Sequence, residues 1–176
     1  MQSRTLIALV MAGAAATAMA GGPPPSAAAS APPPEATSDA AASPPSALEA
    51  AQRARPGVQW QADSELEGDF DCSGRASTVL LGTSKTEVTV AVFKQGVDGP
   101  PIWLSYPAHA IAPASVMLTT EDLDFDPARF ARENGAVPAG LEPSLTCEGL
   151  NLTDMAPHSI HIYWDRRKGR YADWRQ

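Results

Sequence analysis

Hydrophobic and polar residues alternate along several short segments of the chain. The clearest is Glu87–Phe93, in which three valines fall on one face while Thr89 and Ala91 fall on the other. Such alternation predicts a β-strand, because successive side chains of a strand point to opposite faces. Similar patterns predict a brief extended piece and six further strands, namely Val58–Trp60, Ser77–Leu81, Ile102–Tyr106, Ala114–Thr120, Ser144–Leu152, Ser159–Trp164 and Arg170–Trp174.

Two segments have the character of short helices. Ala47–Arg55 consists mainly of helix-forming residues with an apolar stripe, and a Pro-Gly pair follows it. The second helix opens at Asp126, which suits the N-cap, and Pro127, which suits the first turn, and it ends at Gly135. With a hairpin turn at 82–85, these elements predict an α+β, β-rich domain with a mostly antiparallel sheet and one or two short helices.

The first 46 residues differ in composition from the predicted domain. Residues 1–20 join the basic Arg4 to a short apolar stretch and an Ala-Met-Ala cleavage sequence, as in a secretory signal peptide. The apolar stretch is shorter than the roughly 20 residues that a membrane-spanning helix needs. Residues 21–46 contain eight prolines and no aromatic residue, so we expect a disordered Ala/Pro-rich linker. We expect one domain at 47–176, periplasmic or secreted, without a membrane span in the mature chain.

Charge is acidic overall and unevenly distributed. The formal net charge is −7, which argues against nucleic-acid binding, because that requires a basic surface. Acidic residues concentrate at 63–71 and 121–126, and basic residues concentrate at 166–175. Solvated faces and a polar partner-binding surface are both compatible with this distribution.

The chain has two cysteines, Cys72 and Cys147. An exported protein meets an oxidising compartment, where an isolated pair usually forms a bridge, so we predict a disulfide between them. The chain-entropy model assigns a loop of this length a stabilisation of roughly 4 kcal/mol. A redox-active pair is not expected, since no C-x-x-C motif is present.

The segment GDFDCSGRAS places oxygen-bearing side chains at alternate positions. Asp69, Asp71 and Ser73 are followed by Gly74, and hard oxygens at such positions converge in calcium loops, where glycine permits a sharp turn. These residues predict a weak calcium site, which is the only cofactor that the sequence suggests. The alternative is a rigid turn that orders the following hairpin and positions Cys72 for its bridge.

The same segment resembles the FG-GAP or VCBS-type loop of integrin-like propellers, whose pattern is GDFDGDGxxD followed by a hydrophobic strand. Two aspartates, a glycine and the strand match this pattern. Cys72, Ser73 and Ser77 replace a glycine and two aspartates, so the resemblance implies calcium binding weakened by the loss of two carboxylates. A propeller is not implied, because it needs many copies of the loop. Small exported bacterial proteins of undefined function, with a single loop of this kind before a hairpin, look similar.

Aromatic and basic residues cluster near the C-terminus. They are Tyr163, Trp164, Arg167, Arg170 and Trp174. Tryptophan, tyrosine and arginine are the residue types enriched at binding hot spots, so these residues are a candidate partner-binding surface. The alternative is cross-strand packing within a hairpin.

No catalytic motif is visible in the sequence. His158 and His161 are three residues apart at the start of a predicted strand, so they are expected to point to different faces. Ser105 and Ser159 lie near histidines in sequence but lack a G-x-S-x-G context. We therefore expect a non-enzymatic cell-envelope binding or inhibitor-type domain that recognises a protein or an envelope polymer. The alternative is a small periplasmic hydrolase whose carboxylate or histidine site the sequence does not locate.

Overall fold

The computed structural model of the protein describes residues 45–155 and 159–175. These residues form two antiparallel β-sheets with a short helix on the outer side of each sheet. The predicted signal peptide, nearly all of the predicted linker, and His158 lie outside the described residues.

The described residues contain two α-helices, one turn of 3-10 helix and nine strands. In chain order they are α1 (Ala47–Ala54), β1 (Gln59–Trp60), the 3-10 turn (Ala62–Ser64), β2 (Leu66–Gly68), β3 (Ser77–Thr83), β4 (Glu87–Lys94), β5 (Ile102–Pro107), β6 (Met117–Asp122), α2 (Pro127–Asn134), β7 (Glu148–Thr153), β8 (Ser159–Asp165) and β9 (Arg170–Arg175). The predicted β-rich class, the antiparallel pairing and the two short helices are confirmed. The 3-10 turn and β2 were not predicted, because they are too short to show a periodic pattern.

Both helices begin at residues whose side chains replace missing backbone hydrogen bonds. At α1, the Ser46 hydroxyl accepts the Glu49 N–H, and the Glu49 carboxylate accepts the Ser46 N–H. At α2, the Asp126 carboxylate accepts the Arg129 N–H at 2.6 Å, and Gly135 ends the helix at φ 86°. No helix in the described ranges is long and apolar enough to cross a membrane.

The first sheet has β3 and β4 at its centre. The short strands β1 and β2 pair with successive parts of one edge of β3, and β5 pairs with β4. The turn predicted at 82–85 lies later, because β3 continues through Thr83. Gly82 is inside the strand, where an added Cβ would clash with Val58 and the ring of Trp60. This glycine therefore permits close packing and does not mark a turn.

The second sheet is a meander in the order β6-β7-β8-β9. It packs face to face with the first sheet, and side chains from both sheets form one buried cluster. The cluster includes Val79, Leu81, Val88, Val90 and Val92 of the first sheet and Leu118, Leu150, Leu152, Ile160 and Ile162 of the second. The face predicted for the three valines of β4 is thus the face toward the second sheet.

The opposite faces of the two sheets are also covered. Ala47 and Ala51 of α1 pack on Leu80, Ala91 and Phe93 of the first sheet. For this reason β4 is buried on both of its faces. On the second sheet, α2 and the loops on either side of it cover the outer face, and a cavity lies between them and the strands.

The predicted disulfide between Cys72 and Cys147 is present, with 4.9 Å between the two Cα atoms. Cys72 follows β2 of the first sheet and Cys147 immediately precedes β7 of the second, so the bridge joins the two sheets. The backbone N–H of Glu148 donates to the carbonyl of Asp69 at 3.2 Å beside this bridge. The covalent bond and the hydrogen bond together hold the Asp69 loop against the start of β7.

Candidate functional site

The predicted calcium loop closes on its own backbone. Asp69 accepts hydrogen bonds from the N–H groups of Ser73 and Gly74, each at 2.9 Å. Asp71 also accepts from the Ser73 N–H, at 3.2 Å. Cys72 adopts φ 55° and Gly74 adopts φ 77°, so the loop turns through two left-handed residues. The two carboxylates are therefore directed at amides of the loop itself.

A lysine from the first sheet neutralises this loop. The Nζ atom of Lys94 lies 2.9 Å from Oδ2 of Asp71, and it also lies 3.8 Å from the centre of the Trp164 ring. Burial alone would raise the pKa of Asp71, but hydrogen bonds from Ser73 and Lys94, and the lysine charge, hold this pKa below its usual value. A calcium ion at this loop would have to compete with the ammonium group that already neutralises Asp71, and calcium binding stays a prediction. Within the described ranges, three or more His, Cys, Asp or Glu side chains do not come together anywhere in a group that could hold a metal ion.

The five residues predicted as a partner surface are divided between the two faces of the second sheet. Trp164 pairs with Tyr171 across β8 and β9 and faces the first sheet, where it contacts Lys94. Tyr163 and Trp174 face the opposite, outer side. These aromatic residues therefore take part in cross-strand packing and do not form one continuous surface.

The remaining predicted surface residues lie at or beside the turn between β8 and β9. Arg167 is exposed and lies 3.6 Å from Glu142, and Arg170 is exposed at the start of β9. The buried Asp165 carboxylate accepts the Arg167 and Lys168 N–H groups and organises this turn. Of the five predicted residues, only these two arginines are exposed to solvent.

A pocket of about 340 Å³ opens on the outer face of the second sheet, beside α2. We call it the outer pocket. Its lining residues come from β6, β8, β9, α2 and the loops that flank α2, and they are Glu121, Asp122, Leu123, Phe125, Phe130, Glu133, Asn134, Leu141, His161, Ile162, Tyr163 and Trp174. Sequence reasoning identified Tyr163 and Trp174 for other reasons and missed the pocket, which exists only because α2 folds back over the sheet.

Aromatic side chains form a connected wall of the outer pocket. The Phe130 ring lies 4.9 Å from Phe125 and 5.4 Å from Trp174, centre to centre. Trp174 stacks on the imidazole of His161 at 4.2 Å, with an angle of 12° between the planes. The Tyr163 hydroxyl donates to the carbonyl of Ala139 at 3.0 Å, so this ring is held in place as well.

Three carboxylates line the outer pocket, and none of its described lining residues is a lysine or an arginine. Asp122 accepts the Asp124 N–H at 2.8 Å, and Glu121 is bound to His161. Glu133 is paired with Arg129 at 2.8 Å, but this pair is exposed at the surface of α2. Solvent competes with an exposed ion pair, so Glu133, like the exposed Asp122, is accessible to a ligand.

His161 joins a serine to a glutamate through its two ring nitrogens. Its Nδ1 atom lies 2.9 Å from both carboxylate oxygens of Glu121, and its Nε2 atom lies 2.6 Å from the Ser159 hydroxyl. In the neutral imidazole that donates from Nδ1, the Nε2 lone pair accepts the serine proton. We call these three residues the Ser-His-Glu relay.

The strand pattern explains half of this relay. Ser159 and His161 are two residues apart on β8, so their side chains share the outer face. Glu121 lies on β6, and β7 separates it from β8. The residue opposite Glu121 on β7 is Gly149, where an added Cβ would lie 3.2 Å from Leu123 and 3.6 Å from the Glu121 Cβ. Because Gly149 has no side chain, the Glu121 chain can extend across β7 to His161.

Comparison with known proteins finds no match for this chain among protein-family models, curated proteins or solved structures. The geometry of the outer pocket and of the relay is therefore the basis for the functional argument.

Proposed function

We propose that the domain binds a partner protein by accepting one of its basic side chains, a lysine or an arginine, in the outer pocket. The observation that carries this proposal is a lining with four aromatic rings of Phe, Tyr and Trp and three carboxylates, but with no lysine or arginine among the described lining residues. Carboxylates attract the charge, while aromatic faces stabilise both the charge and the apolar stem of such a side chain. A ligand with a cationic end and an apolar body therefore matches this lining best.

The size of the cavity supports a single inserted side chain. Its volume of about 340 Å³ is at the lower end of the range of ligand pockets, roughly 300–1,000 Å³. A second cavity of about 290 Å³ shares Phe125, Phe130 and Glu133 with the outer pocket, and Asp124, Asp126 and Arg129 complete its lining. Carboxylates outnumber the single arginine there, so the acidic surface continues beyond the outer pocket, which favours a partner with a basic surface over an isolated small molecule.

We further propose that the domain acts in the periplasm or outside the cell. The signal peptide expected at 1–20 and the disulfide between Cys72 and Cys147 support this location, because disulfides persist in oxidising compartments. An exported binding or inhibitor-type domain is the class of protein that this location and the outer pocket favour.

Titration with capped amino acids tests the binding proposal directly. The probes are N-acetyl-lysine amide and N-acetyl-arginine amide, and N-acetyl-norleucine amide is the neutral control of similar shape. We expect the basic probes to bind with millimolar affinity and to change tryptophan fluorescence, since Trp174 lines the pocket. Equal binding of the norleucine probe would contradict a site that selects for charge.

Two glutamate variants locate the binding. Glu133→Gln is expected to weaken the basic probes several-fold, because it removes the charge of one of the two exposed carboxylates of the pocket. Glu67→Gln is the matched control, since Glu67 is an exposed glutamate on β2 of the first sheet. Unchanged binding in the Glu133 variant, or equal weakening in the control, would exclude the outer pocket as the site.

A further inference from the structure

We propose that Ser159 is a nucleophile, activated by His161 and Glu121, which hydrolyses esters of short carboxylic acids. This activity goes beyond the binding of a basic side chain in the outer pocket, although His161 and Glu121 also line that pocket. It corresponds to the hydrolase alternative that the sequence left without a site.

The geometry of the relay meets the requirements for an activated serine. The nucleophile lies 2.6 Å from Nε2 of the base, and the carboxylate lies 2.9 Å from Nδ1 on the opposite side of the same ring. Both distances are those of hydrogen bonds. A histidine that acts as general base needs the nucleophile at one ring nitrogen and an orienting carboxylate at the other, and His161 has both. Such arrangements are recognised by geometry and not by sequence order, so the absence of a G-x-S-x-G motif does not exclude one.

Packing holds the base in one orientation. His161 is 8% exposed, and the Trp174 ring stacks on its imidazole at 4.2 Å. Glu121 bridges Nδ1 with both of its oxygens, which selects the tautomer whose Nε2 is free to accept a proton. Ser159 is half-buried at the start of β8, so this residue is less enclosed than His161.

Asn151 provides a further polar group beside the relay. It lies directly opposite His161 on β7, on the same outer face. Its Oδ1 atom is buried without a hydrogen-bond partner among the described residues. A buried polar atom of this kind is unusual in a folded protein and fits a position that a polar ligand group completes. Rotation of the amide directs its NH₂ group at that position, where it would donate to the oxyanion of an acyl-transfer reaction.

The reaction has two balanced steps. In the first, the Ser159 oxygen bonds to the ester carbonyl carbon while its proton passes to Nε2 of His161. The bond from that carbon to the alkoxy oxygen breaks, and the proton on Nε2 leaves with the alcohol. In the second, water attacks the acyl-serine and gives a proton to Nε2. The acyl–serine bond then breaks, the carboxylic acid leaves, and the proton returns to Ser159.

The surroundings of Ser159 favour short acyl groups. Ser159 lies on the sheet face and is not among the residues that line the outer pocket. Among the described residues, Ser159 does not line the deep apolar cavity of this sheet face, so an acetyl group is the preferred acyl group.

A fluorophosphonate probe and p-nitrophenyl acetate test the proposal on the whole exported chain. We expect the probe to label Ser159, as identified by peptide mass, and the ester to be hydrolysed with a burst of p-nitrophenolate. Ser159→Ala should abolish labelling and lower the hydrolysis rate at least about 100-fold. Ser105→Ala is the control, because Ser105 is an exposed serine on β5 and lies far from His161 in the fold.

Glu121→Gln is a second variant, for use if Ser159→Ala fails to fold, because glutamine has nearly the same shape as glutamate. It is expected to slow labelling at least about 10-fold without changing the circular dichroism spectrum. A folded protein in which Ser159 is not labelled, or a Ser159→Ala variant with the wild-type rate, would overturn the proposal.

Discussion

The ammonium of Lys94 lies 2.9 Å from the Asp71 carboxylate and 3.8 Å from the centre of the Trp164 ring. Lys94 ends β4 of the first sheet, whereas Trp164 belongs to β8 of the second. One side chain therefore connects the loop after β2, the first sheet and the second sheet. The Lys94 ammonium therefore lies at Asp71, one of the two carboxylates that were predicted to bind calcium.

Lys94→Met is expected to destabilise the protein by about 3 kcal/mol or somewhat less. Removal of one partner from a buried ion pair leaves the other charge uncompensated, at a typical cost of about 3–5 kcal/mol, and the partial exposure of Lys94 reduces this cost. Urea unfolding measures the change. Lys85→Met, in the exposed turn between β3 and β4, is the matched control and should change the free energy of unfolding little. An equal loss in both variants would contradict a specific role for Lys94.

The contribution of Asp71 to stability should depend on pH. The folded-state pKa of Asp71 is lowered, whereas an aspartate in an unfolded chain titrates near about 3.9. The unfolded state therefore binds this proton more readily, and the stabilisation is present above the unfolded pKa and lost as pH falls through the folded pKa. Urea unfolding at pH 7 and pH 3 should show a larger acid-induced loss for wild type than for Asp71→Asn. Equal losses would show that Asp71 does not contribute to acid sensitivity.

Calcium at millimolar concentration should not raise the melting temperature of the wild-type protein. Asp69 and Asp71 accept hydrogen bonds from the N–H groups of Ser73 and Gly74. The second carboxylate oxygen of Asp71 contacts the Lys94 ammonium. Calorimetric titration and thermal unfolding check this, with magnesium as the control ion. A calcium-specific heat of binding would restore the calcium interpretation of the loop.

Two substitutions of Cys72 separate the bridge from the backbone conformation. Loss of the disulfide, whose cysteines are 75 residues apart, should lower stability by about 4 kcal/mol in either variant. Because Cys72 adopts φ 55°, Cys72→Gly should be more stable than Cys72→Ala by about 1 kcal/mol. Denaturant unfolding of the two variants measures the difference. Identical stabilities would mean that the left-handed conformation relaxes once the bridge is removed.

Gly149→Ala is expected to disturb the contact between Glu121 and His161. The added Cβ would lie 3.1 Å from the Ile162 carbonyl and 3.2 Å from Leu123, so β7 must shift by a few tenths of an ångström beneath the Glu121 side chain that crosses it. The downfield NMR signal of the His161 Nδ1 proton reports this hydrogen bond and should weaken or shift. An unchanged signal would show that Glu121 reaches His161 by a route that position 149 does not limit.

Sequence patterns predicted a helix or strand well where neighbouring residues determine its bounds or its faces. Asp126, Pro127 and Gly135 specify the bounds of α2 through capping, and the alternation of Glu87–Phe93 specifies which side chains of β4 share a face. The turn after β3 was misplaced because Gly82 serves close packing: an added Cβ would clash with Val58 and with the ring of Trp60, which belongs to another strand. Turn chemistry and close packing both select glycine, so a single sequence does not distinguish them.

The sequence by itself determined the β-rich class, the short helices and the pairing of Cys72 with Cys147, because each follows from neighbouring residues or from a count of two. Only the tertiary structure divided the strands between two sheets and decided that the Trp164 face of β8 packs toward the first sheet and the Tyr163 face toward α2. It also brought Glu121 to His161 across β7, and α2 over the outer pocket. These contacts join residues far apart in the chain, and their geometry depends on how whole sheets pack, which local preferences do not encode.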